Sequence, residues 1–256
     1  MLSGLSAYNS MPARTTARQR YYDTTGDHYE GNRYGDGHME GYRAFRNDTL
    51  QSILSEHFPT RNLRILEVGC GTGLTLQFLG EQSPHYQLFG LDVSQTMLQQ
   101  AADKARTLQN APGLALGDAD RLPFRAGQFD LVYATRFIHQ FSHDAKRQLW
   151  REFQRVTRKD GLLVVEFYAR PYHWLRYHFG GAKGRPKDAY LSHFPTRHEV
   201  GEIVAGTPEI HPLRLPGQRL LSNLLGEMGV RPVTRAIGRA SRGLFLDEYF
   251  VVARNR

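Results

Sequence analysis

The chain has 256 residues, 40% hydrophobic and 23% charged, with a formal net charge of +8; this excludes global disorder and collagen-like repeats and suits one large domain, or one domain with an appended subdomain. Its longest apolar stretch, around Leu162–Val165, stops at Glu166, far short of the roughly 20 residues of a membrane span. A single cysteine, Cys70, excludes an internal disulfide, leaves too few thiols for a zinc cluster and suits a reducing, cytoplasmic setting.

The segment from Met1 to Arg20 lacks acidic side chains and an apolar core, and reads as a flexible tail, although a transit peptide has similar composition. Residues 21–60 form a second unit. Its Gly- and Tyr-rich part, 21–48, reads as an ordered flap or entrance loop, followed by a helix near Asp48–Phe58.

From residue 61 to 168 short β-branched runs alternate with helical patterns, which implies a parallel sheet with helices on both faces. Arg64–Val68 is the first strand and runs into Gly69-Cys-Gly-Thr-Gly73; Leu74, Leu76, Phe78 and Leu79 then supply a helix. Tyr86–Asp92 is the second strand. Ser94 caps the next helix, whose apolar positions Met97, Leu98, Ala101, Ala102 and Ala105 repeat at helical spacing. Leu114–Leu116 is a weak third strand and Phe129–Ala134 the fourth. A helix over Ala145–Val156 follows, and Asp160-Gly161 turns into the fifth strand, Leu162–Tyr168.

Residues 169–256 open with an aromatic and basic stretch, Arg170–Pro195. Thr196 and Glu199 form a capping-box pattern for a helix closed by Gly206. Leu220, Leu221, Leu224, Leu225 and Met228 mark an amphipathic helix, and Tyr249–Ala253 a final strand. The excess charge sits in this part of the chain: residues 1–60 carry −1, residues 61–167 carry +2 and residues 168–256 carry +7.

The sharpest chemical signal is Glu67-Val-Gly69-Cys70-Gly71-Thr-Gly73 between a strand and a helix, where glycines let the backbone approach a ligand and turn tightly. Asp92 ends the next strand, where a carboxylate can accept both hydroxyls of a ribose. Asp118 follows the third strand, where a carboxylate can accept from an exocyclic adenine amine. A dinucleotide-binding G-x-G-x-x-G would want glycine at position 74, which is leucine here. An acidic mouth suits a cationic ligand better than a pyrophosphate. The three acidic sites therefore describe a pocket for an adenosine without a diphosphate, and S-adenosylmethionine fits that description.

These residues resemble the class I, Rossmann-like S-adenosylmethionine-dependent methyltransferases, most of all the subgroup with the ubiquinone and menaquinone enzymes. The likeness rests on Ile65–Gly73, Gly90–Ser94 with Met97-Leu98, Gly117–Ala119 with Leu122–Phe124, Phe129-Asp130, and Arg155-Val156 before Gly161, and covers about residues 62–168. It implies a seven-stranded, mostly parallel sheet with an antiparallel C-terminal strand and an inserted helical cap. It also implies that Glu67, Gly69, Cys70, Gly71 and Gly73 line the methionine side of the cofactor, and that Asp92 holds the ribose. Val93 and Met97 would pack near adenine, Asp118 and the Ala119 amide would meet its edge, and Thr135 and Arg136 would lie beside the methyl donor. S-adenosylhomocysteine would be the product.

Methyl transfer asks mainly for alignment and desolvation, and for a base only where the acceptor is protonated. His139, beyond the fourth strand, and Glu166, in the fifth, are candidates for that base, or buried packing residues. No acidic metal-ligand set follows the fourth strand, so no metal is expected. The Asn/Asp-Pro-Pro-aromatic run of nucleic-acid amino methylases is replaced by Ala134–Phe137. A small-molecule acceptor remains, anionic, aromatic or lipid-like. Tyr172, Trp174 and Tyr177 could wall its site. Arg231, Arg235, Arg239 and Arg242 share one helical face that could meet an anionic acceptor, a phospholipid surface or nucleic acid, or only solvent. The second reading is a nucleic-acid or membrane-surface binding protein that uses the same fold without catalysis.

Overall fold

The structure is a computed structural model that describes residues 19–24, 30, 37–58, 62–169, 194–214, 229, 232–237 and 248–256. The expected sites at Tyr172, Trp174, Tyr177, Arg231, Arg239 and Arg242 lie outside these residues, as do the Leu220–Met228 helix and the segment from Met1 to Arg18.

Seven strands form one sheet in the order β3-β2-β1-β4-β5-β7-β6. They are β1 (Arg64–Val68), β2 (Gln87–Asp92), β3 (Gly113–Leu116), β4 (Phe129–Ala134), β5 (Thr157–Tyr168), β6 (Glu209–Arg214) and β7 (Glu248–Arg254). The pairs β1·β2, β1·β4, β2·β3 and β4·β5 are parallel; β7 runs antiparallel to both β5 and β6. The fold is the expected mostly parallel, Rossmann-like sheet. Connections leave β1 toward β2 and β3 on one side and resume at β4 and β5 on the other, so the strand order reverses between β1 and β4. Open α/β sheets place ligands at the carboxyl ends of the strands at such a reversal.

Helices cover both faces. On one, α4 (His143–Val156) and α5 (Arg197–Val204) bury Leu149, Trp150, Phe153, Val156, Val200 and Ile203 over Val132, Leu163 and Val165. On the other, α1 (Gly37–His57), α2 (Leu74–Gln82) and Leu98 of α3 (Gln95–Ala105) cover Ile65, Leu88, Leu131 and Val164. Side chains alternate between these two cores along the inner strands, which is why those strands are mostly apolar, with Glu67 and Glu166 as buried exceptions.

Four elements differ from the sequence-based expectation. Helix α1 starts at Gly37 rather than near Asp48, because Tyr42, Phe45, Thr49, Leu50 and Ile53 keep a buried face and that burial outweighs the cost of Gly37 and Gly41. Strand β5 starts at Thr157; the expected turn survives inside it as an excursion, with Asp160 at φ 61 and its amide bonded to the Asn255 carbonyl. The capping box at Thr196 and Glu199 is formed, but the left-handed residue that closes α5 is Ala205, at φ 53, rather than Gly206. Strand β6 carries Pro212 and occupies the sheet edge, the place where a missing amide costs least. Among the described residues no helix is long and apolar enough to cross a membrane.

Candidate cofactor site

Strand β1 is buried along its whole length after Arg64, so its last turn delivers Glu67 and the glycine loop to the strand-order reversal. The loop is shaped by its own backbone. The amides of Gly69 and Cys70 both donate to the Leu91 carbonyl of β2, at 2.8 and 3.0 Å, and Gly73 donates to Cys70 at 3.0 Å. Gly69, Gly71 and Gly73 take φ values of 72°, 52° and 78°, a region that costs L-residues with a side chain about 1–2 kcal/mol.

The three glycines serve different purposes. A Cβ at Gly69 would come within 2.4 Å of the Phe137 ring, and one at Gly73 within 2.8 Å of the Ala101 Cβ, whereas one at Gly71 would meet nothing within 4 Å. Gly71 is therefore the point where backbone faces open space. Gly73 lies outside the cleft lining; it starts α2 and lets that helix approach α3.

A cleft of about 990 Å³, including its open mouth, lies at this point. Of the residues named from the sequence, Glu67, Gly69, Cys70, Gly71, Asp92, Val93, Met97, Asp118, Ala119, Thr135 and Arg136 line it. Leu91 and Asp92 come from the end of β2, Gly117–Ala119 from the loop after β3, and Thr135–Phe137 from the loop after β4. Tyr22, Arg46, Phe137, Gln140 and Phe141 also line it and were not expected.

The electrostatics are dominated by buried carboxylates. Glu67 is 2% exposed and accepts from the Tyr133 hydroxyl at 2.9 Å and the Thr135 hydroxyl at 3.4 Å. Burial pushes its pKa up to about 8, against the pull of Tyr133, Arg46 and Thr135. Asp92 accepts from the Gly71 amide at 2.8 Å and the Ser94 amide at 3.0 Å; burial raises its pKa, while the amides of Ser94, Gly71 and Val93 pull it back. One carboxylate thus ties the glycine loop to the start of α3. Cys70 is buried, and its thiol is pushed well up by burial and by Asp92 and Glu67, which disfavours the thiolate.

A short helical segment, 19–24, crosses the mouth. The Tyr22 hydroxyl donates to Gln140 at 2.9 Å, and Asp23 accepts from the Ser94 hydroxyl and, at 3.5 Å, from the Thr96 amide. It therefore touches both rims of the cleft.

Neither of the two expected bases is among the residues that line the cleft. Glu166 is fully buried; its oxygens accept from the Tyr42 hydroxyl at 3.0 Å and the Arg136 amide at 2.9 Å. That second bond holds Arg136 at φ 52. His139 lies in a 3₁₀ turn, Ile138–Gln140, with its ring edge-on to Tyr168 at 4.6 Å between centroids. Arg235 is exposed and places its guanidinium 5.7 Å from the Phe45 ring of α1, also outside the cleft lining. Among the described residues no cluster of His, Cys, Asp and Glu could hold a metal ion.

Carboxylates at two successive strand ends, a glycine loop open at Gly71 and a cleft of this volume fit S-adenosylmethionine, and the sheet is that of the class I methyltransferases. Residues 66–165 match the family described as methyltransferase domain, and that segment is a domain of this kind. The chain is 38% identical over 101 residues to malonyl-[acyl-carrier protein] O-methyltransferase of Legionella pneumophila, covering 40% of this chain and 34% of that protein. It is 31% identical over 102 residues to demethylmenaquinone methyltransferase of Thermotoga maritima, covering 40% and 42%. These matches span between a third and a half of the length of the curated relatives. Among solved structures, magnesium protoporphyrin IX methyltransferase of Synechocystis with bound S-adenosylhomocysteine is similar at a TM-score of 0.65 and 16% identity, over 94% of this chain and 99% of that one. At that identity the likeness is one of fold.

Proposed function

We propose that the chain transfers the methyl group of S-adenosylmethionine to a small-molecule or carrier-borne acceptor, at oxygen, nitrogen or carbon. The observation that supports this most is the convergence of Glu67, the open glycine loop and Asp92 on one cleft. In this reading Glu67 and the loop face the amino-acid end of the cofactor, Asp92 takes the ribose hydroxyls, Val93 and Met97 pack near adenine, and Asp118 with the Ala119 amide meets its edge. Thr135 and Arg136 border the reacting end. The cofactor supplies a methyl group made electrophilic by a sulfonium. The residues supply orientation and exclusion of water.

Tyr22, Phe137 and Phe141 give the cleft an aromatic side, which suits a flat or aliphatic acceptor. The names of the relatives, a malonyl carrier-protein methylase and a quinone methylase, agree with an organic acceptor. Residues 169–256, with their charge of +7, are proposed to recognise it. A protonated acceptor would need a base, and His139, one short turn past β4, is the candidate. Glu166 is instead a positioning residue for the Arg136 loop.

Isothermal titration with S-adenosylhomocysteine and with NAD tests the cofactor. The homocysteine ligand should bind and NAD should not; NAD binding alone would refute the reading. Labelled methyl transfer from S-adenosylmethionine to malonyl thioesters and quinols then tests the acceptor class.

A further inference from the structure

Arg136 lines the cleft from the loop after β4 and stands in the left-handed backbone region, at φ 52. A residue with a side chain keeps that conformation only where its surroundings hold it there. Part of the hold is the bond from the Arg136 amide to Glu166 Oε2, at 2.9 Å. Glu166 is in turn one of two carboxyl groups that meet at a single hydroxyl. Tyr42, on α1, donates to Glu166 Oε1 at 3.0 Å, and the same hydroxyl contacts Oε2 of Glu248, the first residue of β7. All three side chains are buried, and neither Tyr42 nor Glu248 lines the cleft.

A phenol has one proton to give, and two carboxyl oxygens face it. Burial, Glu166, Glu248 and Tyr168 push the Tyr42 hydroxyl well above its usual range, and Arg46 pulls it only partly back, so the hydroxyl keeps its proton. The second oxygen-to-oxygen contact is then a hydrogen bond only if the other carboxyl brings a proton of its own. Two ionised carboxylates at one buried hydroxyl would repel each other and both lack water. Glu166 has the partners of an anion, since it accepts the Arg136 amide and stands 3.7 Å from the Arg46 guanidinium. That leaves Glu248 as the neutral acid. We propose that the Glu248 carboxylic acid donates to the Tyr42 oxygen and the Tyr42 hydroxyl to the Glu166 carboxylate, a relay that makes Tyr42 and Glu248 positioning residues for the cleft loop at Arg136. The relay does not depend on the cofactor; its bearing on the cleft rests on the S-adenosylmethionine reading.

Two measurements on the full chain without ligand test the relay. Infrared difference spectra of the wild type against Glu248→Gln at neutral pH should contain the carbonyl band of a protonated carboxyl; the subtraction removes any contribution from Glu67. Amide exchange followed by NMR should find the Arg136 amide protected. Tyr42→Phe keeps the ring and removes the hydroxyl, and should lower that protection about tenfold, the loss expected for one hydrogen bond. Glu248→Ala should do the same, whereas Glu248→Gln, whose amide donates as the acid does, should stay within about threefold of the wild type. Affinity for S-adenosylhomocysteine, by titration calorimetry, should follow the same order. A thermal melt checks folding; if Tyr42→Phe or Glu248→Ala is not folded, the infrared band and the retained protection in Glu248→Gln carry the test. A missing band would overturn the proposal. So would equal Arg136 protection in all variants, or a loss in Glu248→Gln as large as in Glu248→Ala. A loosened Arg136 amide with unchanged S-adenosylhomocysteine affinity would make the relay a structural clamp and overturn the positioning role. A wild type with the band and the protection that does not bind S-adenosylhomocysteine would overturn the cofactor reading and uphold the relay.

Discussion

Gly69 and Gly71 are two residues apart, share the left-handed backbone region and differ in what surrounds them, so alanine at each separates backbone strain from steric conflict. At Gly71 the φ of 52° is the whole penalty, since an added Cβ meets nothing within 4 Å. Forcing alanine into that region costs about 1–2 kcal/mol, and the lower entropy of the unfolded chain does not offset it at a positive φ. At Gly69 the same strain applies, at φ 72, and the Cβ would also sit 2.4 Å from Phe137 Cδ2 and 3.0 Å from Cγ. Phe137 is packed against Phe141, 4.9 Å between centroids, and cannot swing away without opening that contact. Overpacking of this kind adds roughly 1–3 kcal/mol. Gly69→Ala should therefore lose about 2–5 kcal/mol and Gly71→Ala about 1–2 kcal/mol.

For a chain of this size 1 kcal/mol moves Tm by about 2–4 °C, so the two variants should differ visibly in a thermal melt. Ligand affinity should rank the other way per unit of stability lost. The Gly71 Cβ projects into cleft space, so Gly71→Ala should weaken S-adenosylhomocysteine out of proportion to its small stability change. Urea denaturation and titration calorimetry on the same samples give both numbers. Equal destabilisation by the two alanines, with S-adenosylhomocysteine affinity unchanged in Gly71→Ala, would refute the assignment of Gly71 to the ligand face.

Glu67, with its pKa pushed up to about 8 by burial, holds a proton in the folded state that an unfolded carboxyl releases near pH 4.5, so apo stability should fall as pH rises from about 4.5 to 8. The affinity for S-adenosylmethionine should rise over the upper part of that range as the carboxylate forms, and Glu67→Gln should flatten both profiles. Thr196→Ala removes a capping bond, Glu199 amide to Thr196 Oγ1 at 3.3 Å, and should cost about 1 kcal/mol in a urea titration without altering cofactor affinity. Ala205→Gly relieves a left-handed φ of 53° at an exposed helix end and should gain about 0.5–1 kcal/mol; a loss in Tm would show that the Ala205 methyl is packed. His139→Ala should keep cofactor affinity, as its ring packs on Tyr168 and is not among the residues that line the cleft. Full turnover at every pH with a protonated acceptor would exclude it as the base.

The parts of the fold legible in the sequence are those set by local pattern. Strands β1 and β4 have the expected bounds, because each is an apolar run ended by a glycine loop or a polar turn. Ser94 caps α3 through the Met97 amide, and Thr196 caps α5 with a complete capping box, since a cap is a relation between residues three apart. The sheet-edge strand β6 was not legible. Its hydrogen bonds go to β7, which is distant along the chain, and it carries Pro212, a residue that sheets admit only at edges and bulges. The early start of α1 was hidden by its glycines, whose local cost is outweighed by a core the sequence does not display.

The same division runs through the cleft, and it explains which residues were missed. Glu67, Gly71 and Asp92 could be named because their positions follow from strand ends; the Gly71 amide reaches Asp92 at 2.8 Å through pairing of two neighbouring strands. Arg46 and Tyr22 come from the segment before the motif, and neither lies in a pattern that marks it. They reach the cleft because α1 packs its apolar face on the sheet and carries Arg46 to Glu166, and because segment 19–24 meets Gln140 and Ser94. The proposed adenosine contacts are thus encoded in backbone geometry near the glycine loop, where single residue types are diagnostic. The contacts of Arg46 and of segment 19–24 are encoded in tertiary packing, where an arginine is informative only after its neighbours are known. The Glu67 carboxylate depends on both. The strand end sets its position, and Arg46, from a distant helix, helps set how readily it ionises.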